Sequence, residues 1–363
     1  MRTIALPWLI ASIAAAAPAQ PADEPEVHAD GRVTFRLDAP GAHAVALRFE
    51  SDAPVAMVRD ARGTWSVTTA PLAPDIYNYL FRVDGIPALD PANPRLKFNL
   101  IASASEVHVP GPASLPWEIN AVPHGVVHRH YYHSAVVGDD RDFLVYTPPG
   151  YDPAAKDPYP VLYLLHGLSD DATAWATVGR ANVILDNLIA RGQAKPMLVV
   201  MPLGYGRLDI LAGGFDRQRP RELTDANIRI FGESLLREVI PQVEKSYRVA
   251  PDPAARAIAG LSMGGAQALT IGLGHPDIFA WIGAFSFGSG APDPAALGSD
   301  LNARLRLLWF TCGRGDSRFA NNQQFAAGLA ARGIRHVWLP APGIHNFPFW
   351  RRSLAGFVPL LFR

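Results

Sequence analysis

The chain has 363 residues, 49% of them apolar, and its 33 lysines and arginines balance 33 aspartates and glutamates. That length and apolar content suffice for two domains with a substantial core. Zero net charge without a basic run argues against nucleic-acid binding or attachment to an anionic membrane surface, and the single cysteine, Cys312, rules out an internal disulfide.

Residues 1–19 read as a secretory leader: Arg2 gives a positive start, 4–17 an apolar stretch, and Ala17-Pro18-Ala19 a small-x-small cleavage site. The stretch is shorter than the roughly 20 residues of a membrane span, so the expectation is an exported protein, periplasmic or extracellular, with no stable membrane anchor. Over 27–109, short alternating segments recur at 33–37, 44–49, 65–68 and 77–83 with no helical period. They predict half-buried antiparallel strands in a small β-sandwich. The segment 110–123, opening Pro110-Gly111-Pro112-Ala113-Ser114-Leu115-Pro116, reads as a stiff linker.

From 124 to 363 strands alternate with helices. Strands are expected at 143–146, 161–165, 197–201, 256–261, 281–285, 305–311 and 336–339, and helical spacing at 182–190 and 228–247, where Pro241 must interrupt or start a helix. The fold class is α/β, a mostly parallel sheet with helices on both faces behind a small all-β sandwich.

Within it, Ala257-Ile258-Ala259-Gly260-Leu261-Ser262-Met263-Gly264-Gly265 runs from strand into helix through a serine boxed by glycines. This is the pattern of a nucleophile elbow, in which a strained corner lifts the hydroxyl above the sheet edge. An orienting acid belongs after a later strand and a general base after the last one. Asp316, in the Cys312-Gly313-Arg314-Gly315-Asp316 loop, fits the first position, although it is also placed to cap the helix at 319–332; Asp293 and Asp300 are fallbacks, on the wrong side of the strand. Of eleven histidines, His345 alone falls between the final strand and the final helix. The oxyanion N–H groups are assigned to Met263 and to Leu168, which follows the apolar run 161–165 and His166-Gly167. His166 is read as structural, Cys312 as packing. No Cys/His cluster or H-E-x-x-H spacing points to a metal.

Most of 124–363 resembles the bacterial esterases of carbohydrate esterase family 1, the feruloyl and acetylxylan esterases, which are in turn similar to enterochelin-type siderophore esterases and esterase D. The resemblance rests on Val145-Tyr146-Thr147-Pro148-Pro149-Gly150-Tyr151, Leu164-Leu165-His166-Gly167, Asp186-Asn187-Leu188-Ile189-Ala190, Val199-Val200-Met201-Pro202, the Ser262 motif, and His345-Asn346-Phe347 with Trp350-Arg351. It implies an α/β-hydrolase serine esterase with Ser262, Asp316 and His345 as triad, oxyanion groups at Leu168 and Met263, and no cofactor. It further implies that the N-terminal module is immunoglobulin-like, of the early-set type, to which the Asp84-Gly85 turn and Asp90-Pro91-Ala92-Asn93-Pro94 are similar. One departure is Ile344 and Asn346, where family members often carry glycine and threonine.

Trp175 and Trp350, near the expected site in sequence, are candidates for stacking on a sugar or aromatic ring. The expected substrate is an acyl ester, feruloyl or acetyl, on a plant polysaccharide or its fragments. A siderophore lactone esterase is the alternative, with Arg207, Arg217, Arg219 and Arg221 as the cations facing a polyanionic substrate. Less favoured are a carbohydrate-binding protein with an inert hydrolase scaffold and a peptidase.

Overall fold

The structure is a computed structural model describing residues 25–50, 52–215 and 218–363, so the expected leader and Arg217 lie outside the described residues. Strands between Glu26 and Val109 form two antiparallel sheets. In strand Val33–Asp38 the side chains of Val33, Phe35 and Leu37 turn inward while Arg36 and Asp38 stay exposed, the two-residue period of a half-buried strand. Phe35 meets Tyr79 of the other sheet at 4.6 Å between ring centroids, and Leu47, Phe81 and Val107 complete one shared core.

Eight strands build the second sheet, in the order Val126–Ser134, Asp139–Thr147, Leu198–Pro202, Val161–Leu165, Arg256–Leu261, Trp281–Phe285, Leu307–Thr311 and Val337–Trp338. The second strand, Asp139–Thr147, runs antiparallel to both of its neighbours, and the other seven point one way. The inner strands are buried on both faces, which is why they read as unbroken apolar runs. The first strand was not anticipated. Its sequence, VVHRHYYHS, lies mostly exposed at the sheet edge and shows no apolar alternation.

Helices α1 (Ala181–Ala190), α2 (Arg221–Ser234), α3 (Ile240–Ser246), α4 (Ser262–Gly274), α5 (Leu301–Arg304), α6 (Phe319–Ala331) and α7 (Phe347–Phe357) flank the sheet. α1 and α7 share one core layer with Leu162 and Leu164, and α2, α4 and α6 share the other with Val161 and Tyr163. Pro241 does begin α3, but the helix axis is not broken, because residues Leu235–Val239 form a π-helical turn between α2 and α3. A wider turn removes the clash between a proline ring and the carbonyl four residues back.

The segment joining the two parts is pinned to α1. Asp186 accepts from Gly125 N–H (2.9 Å) and Tyr146 O–H (2.7 Å), and Asn187 Nδ2 donates to the carbonyls of Pro116 (2.7 Å) and Glu118 (2.8 Å). The sandwich also docks directly on α7. Asp75, at the start of strand Asp75–Val83, accepts from Arg351 Nη2 (2.6 Å) and Nε (2.9 Å), and both side chains are fully buried.

Candidate active site

At the end of the Arg256–Leu261 strand the chain reverses into α4 through Ser262, whose φ is +51°. A non-glycine residue holds that left-handed conformation only when its surroundings enforce it. Enforcement comes from close approach. A Cβ on Gly260 would lie 2.5 Å from the Gly264 carbonyl, and one on Gly264 would lie 2.5 Å from His166 O and 2.6 Å from Leu165 O. Both glycines are thus required for helix and strand to pack at this corner.

Ser262 Oγ donates to His345 Nε2 at 3.0 Å, and His345 Nδ1–H donates to Asp316 Oδ2 at 2.7 Å. The second bond selects the tautomer with a lone pair on Nε2, facing the serine. Asp316 follows the Leu307–Thr311 strand, and its other oxygen accepts from Arg318 N–H at 2.8 Å. One oxygen thus fixes the turn ahead of α6 and the other the imidazole, but Asp316 does not cap the helix, whose N-cap position is Arg318 with no side-chain bond. Burial alone raises the Asp316 carboxyl, but the bonds from His345 and Arg318 N–H hold it below the ordinary carboxylate range. Burial pushes the His345 imidazole down, against the Asp316 bond that raises it.

His345 is set by the helix behind it. Asn346 Oδ1 accepts from Phe349 N–H at 3.2 Å and so caps α7. Asparagine and threonine are both N-cap residues, so the departure at this position preserves the cap.

Met263 is the second residue of α4, where an N–H has no partner four residues back. Leu168 lines the same cleft as Ser262 and His345. The turn carrying it is braced by His166, fully buried, which donates from Nδ1 to Gly167 O and accepts from Gly204 N–H at Nε2, both at 2.8 Å. Those bonds occupy both ring nitrogens. Asp293 caps a short 3₁₀ turn through Ala295 N–H and takes no part. Cys312 is buried, its thiol pushed up to about 12 by burial and then by the nearby Asp316 charge.

The cleft has a volume of about 350 Å³ and lies between the two parts of the chain. The hydrolase side contributes Ser262, His345, Leu168, Arg318, Phe215 and Trp350; the sandwich contributes Arg48, Glu50, Asn78, Lys97 and Asn99. Glu50 is half-buried, with its carboxyl accepting from Asn78 N–H at 2.6 Å and facing the Asn346 side chain, and burial pushes it up. No local motif marks these sandwich residues.

Of the two tryptophans, Trp350 lines the cleft, 6% exposed and edge-on to His345 at 4.8 Å between ring centroids. Trp175 is a correction. It is 1% exposed, packed against Phe285 and Phe347, with its indole N–H donating to Leu165 O at 2.9 Å. It supports the turn that carries Leu168 from within the core and offers no face to a ligand. The arginines at 207, 219 and 221 are also placed elsewhere: Arg207 pairs with Asp209, Arg221 with Asp225, and Arg219 bonds the carbonyls of Ile210 and Gly214.

Fold and site together define an α/β-hydrolase fold with a serine, a histidine and an aspartate in one hydrogen-bonded line. The chain belongs to the putative esterase family, which matches residues 134–361. It is 31% identical over 95% of its length to an endo-1,4-beta-xylanase/feruloyl esterase of Xylanibacter ruminicola, and spans about half (47%) of that relative. The fold is shared with a CE1 ferulic acid esterase of Anaeromyces mucronatus solved with ferulic acid (22% identity, TM-score 0.62, 74% of this chain and 98% of that one). It is also shared with the enterochelin esterase of Shigella flexneri (20% identity, TM-score 0.67, 93% and 94%).

Proposed function

We propose that the chain is a serine esterase that releases feruloyl groups from plant polysaccharides or their fragments. Ser262 Oγ attacks the ester carbonyl while His345 Nε2 takes its proton, and the N–H groups of Leu168 and Met263 receive the oxyanion that forms. Collapse of the tetrahedral intermediate breaks the carbon–oxygen bond, and His345 returns the proton to the leaving sugar hydroxyl. Water, deprotonated by His345, then cleaves the acyl-enzyme. Asp316 holds the imidazole throughout.

The observation that carries the reading is the continuous hydrogen-bonded line Ser262–His345–Asp316 at the floor of a cleft. For the acyl group, support comes from the relative that combines xylanase and feruloyl esterase and aligns across the sandwich as well as the hydrolase. A siderophore lactone is the second reading, favoured by Arg48 and Arg318 at the cleft and by the likeness to the enterochelin esterase along nearly the whole chain. Rates on methyl ferulate, acetylated xylan, 4-nitrophenyl acetate and a catecholate trilactone separate the two. The expected result is the highest kcat/KM on methyl ferulate, with Ser262→Ala lowering kcat by up to about 10⁶-fold. Turnover of none of these esters, or full activity in Ser262→Ala, would overturn the reading.

A further inference from the structure

The turn after strand Val161–Leu165 must hold one oxyanion N–H still, yet its fourth residue, Ser169, sits at φ +72°. For a serine that conformation is strained and persists only where neighbours hold it. Hydrolase residues hold one side: Tyr205 O–H donates to Asp170 O at 2.9 Å. The sandwich holds the other. Asn99 Nδ2 donates to Ser169 Oγ (2.8 Å) and Asp170 Oδ1 (3.1 Å), Leu100 N–H donates to Ser169 O (2.7 Å), and Lys97 Nζ pairs with Asp170 at 3.2 Å. Asn99 is itself immobilised, because its Oδ1 accepts from the N–H groups of Ile101 (3.0 Å) and Ala102 (3.1 Å). Asn99, Ser169 and Asp170 are 7%, 2% and 3% exposed, so little water competes for these bonds.

We infer that the N-terminal sandwich is part of the catalytic machinery, with Asn99 as a positioning residue that fixes the Leu168 N–H through Ser169 and Asp170. This rests on the proposed serine-esterase reading. The physical reason is that oxyanion stabilisation depends on donors already in place, so that a displacement of well under 1 Å weakens it. A ligand-binding module tethered to an independent enzyme would leave the rate of the chemical step untouched by its own residues.

The test is Asn99→Ala in the full chain, normalised by active-site titration with a fluorophosphonate so that only correctly folded sites are counted. We expect kcat to fall about tenfold or more on 4-nitrophenyl acetate and methyl ferulate alike, with KM changed less than about threefold. The inhibition constant of an aryl trifluoromethyl ketone, whose serine adduct carries the same oxyanion, should rise by the same factor as kcat/KM falls. In a Ser169→Gly background the left-handed turn costs no strain, so the further loss from Asn99→Ala should shrink. An unchanged kcat, a loss confined to KM, or an unchanged ketone affinity would overturn the inference. If Ser262→Ala is inactive while Asn99→Ala is unimpaired, only the positioning role fails; if Ser262→Ala is itself active, the esterase reading fails.

Discussion

His345 is pulled in two directions: burial disfavours its charged form, Asp316 favours it, and the guanidinium of Arg318 nearby opposes it again, with a net result below the ordinary imidazole value of 6.5. A general base works only when neutral, so kcat/KM rises with pH as His345 loses its proton, and a lowered pKa places that rise below pH 6.5. Arg318→Gln removes a cation that disfavours the imidazolium and should move the acid limb upward. A pH profile of kcat/KM on a neutral ester checks both, and an acid limb above pH 7 in the unaltered protein would contradict the account. At this scale the sequence is legible where a residue's place in the strand order defines its role. Ser262, Asp316 and His345 each follow a strand end, so position alone separates them from other residues of their kind. Asn99 is unreadable that way, since its meaning is a contact with Ser169, 70 positions on. Trp175 misleads because sequence proximity to Leu168 does not reveal which side of the turn its ring enters.

Among the elements, strand Asp75–Val83 and helix α7 bear most directly on the site, because α7 follows His345 immediately and its Arg351 is buried against Asp75. Removing one partner of a buried ion pair leaves the other charge without compensation. Asp75→Asn should therefore cost about 3–5 kcal/mol of stability, read from the denaturant midpoint, and should lower activity by loosening the helix that carries His345. No measurable change in midpoint would show that the pair does not couple the two parts. The interior strands were readable because burial on both faces demands continuous apolar residues, and the elbow because its glycines have no substitute. The edge strand Val126–Ser134 escaped because an exposed edge makes no such demand, and the π-turn before Pro241 because it relieves the clash that a proline signals.

In the whole molecule the cleft belongs to neither half alone: the hydrolase supplies Ser262 and His345, and the sandwich supplies a wall of charged and amide side chains and the Asn99 bond to Ser169. Composition and periodicity gave notice of both halves but not of the surface between them, since docking depends on side-chain pairs distant in the chain. The most direct measurement is reaction of the protein with a fluorophosphonate followed by peptide mass mapping. Activity should vanish in step with a single phosphonyl group per chain, carried on Ser262. An adduct on another residue, or loss of activity without modification of Ser262, would contradict the claim that this hydroxyl accepts the acyl group.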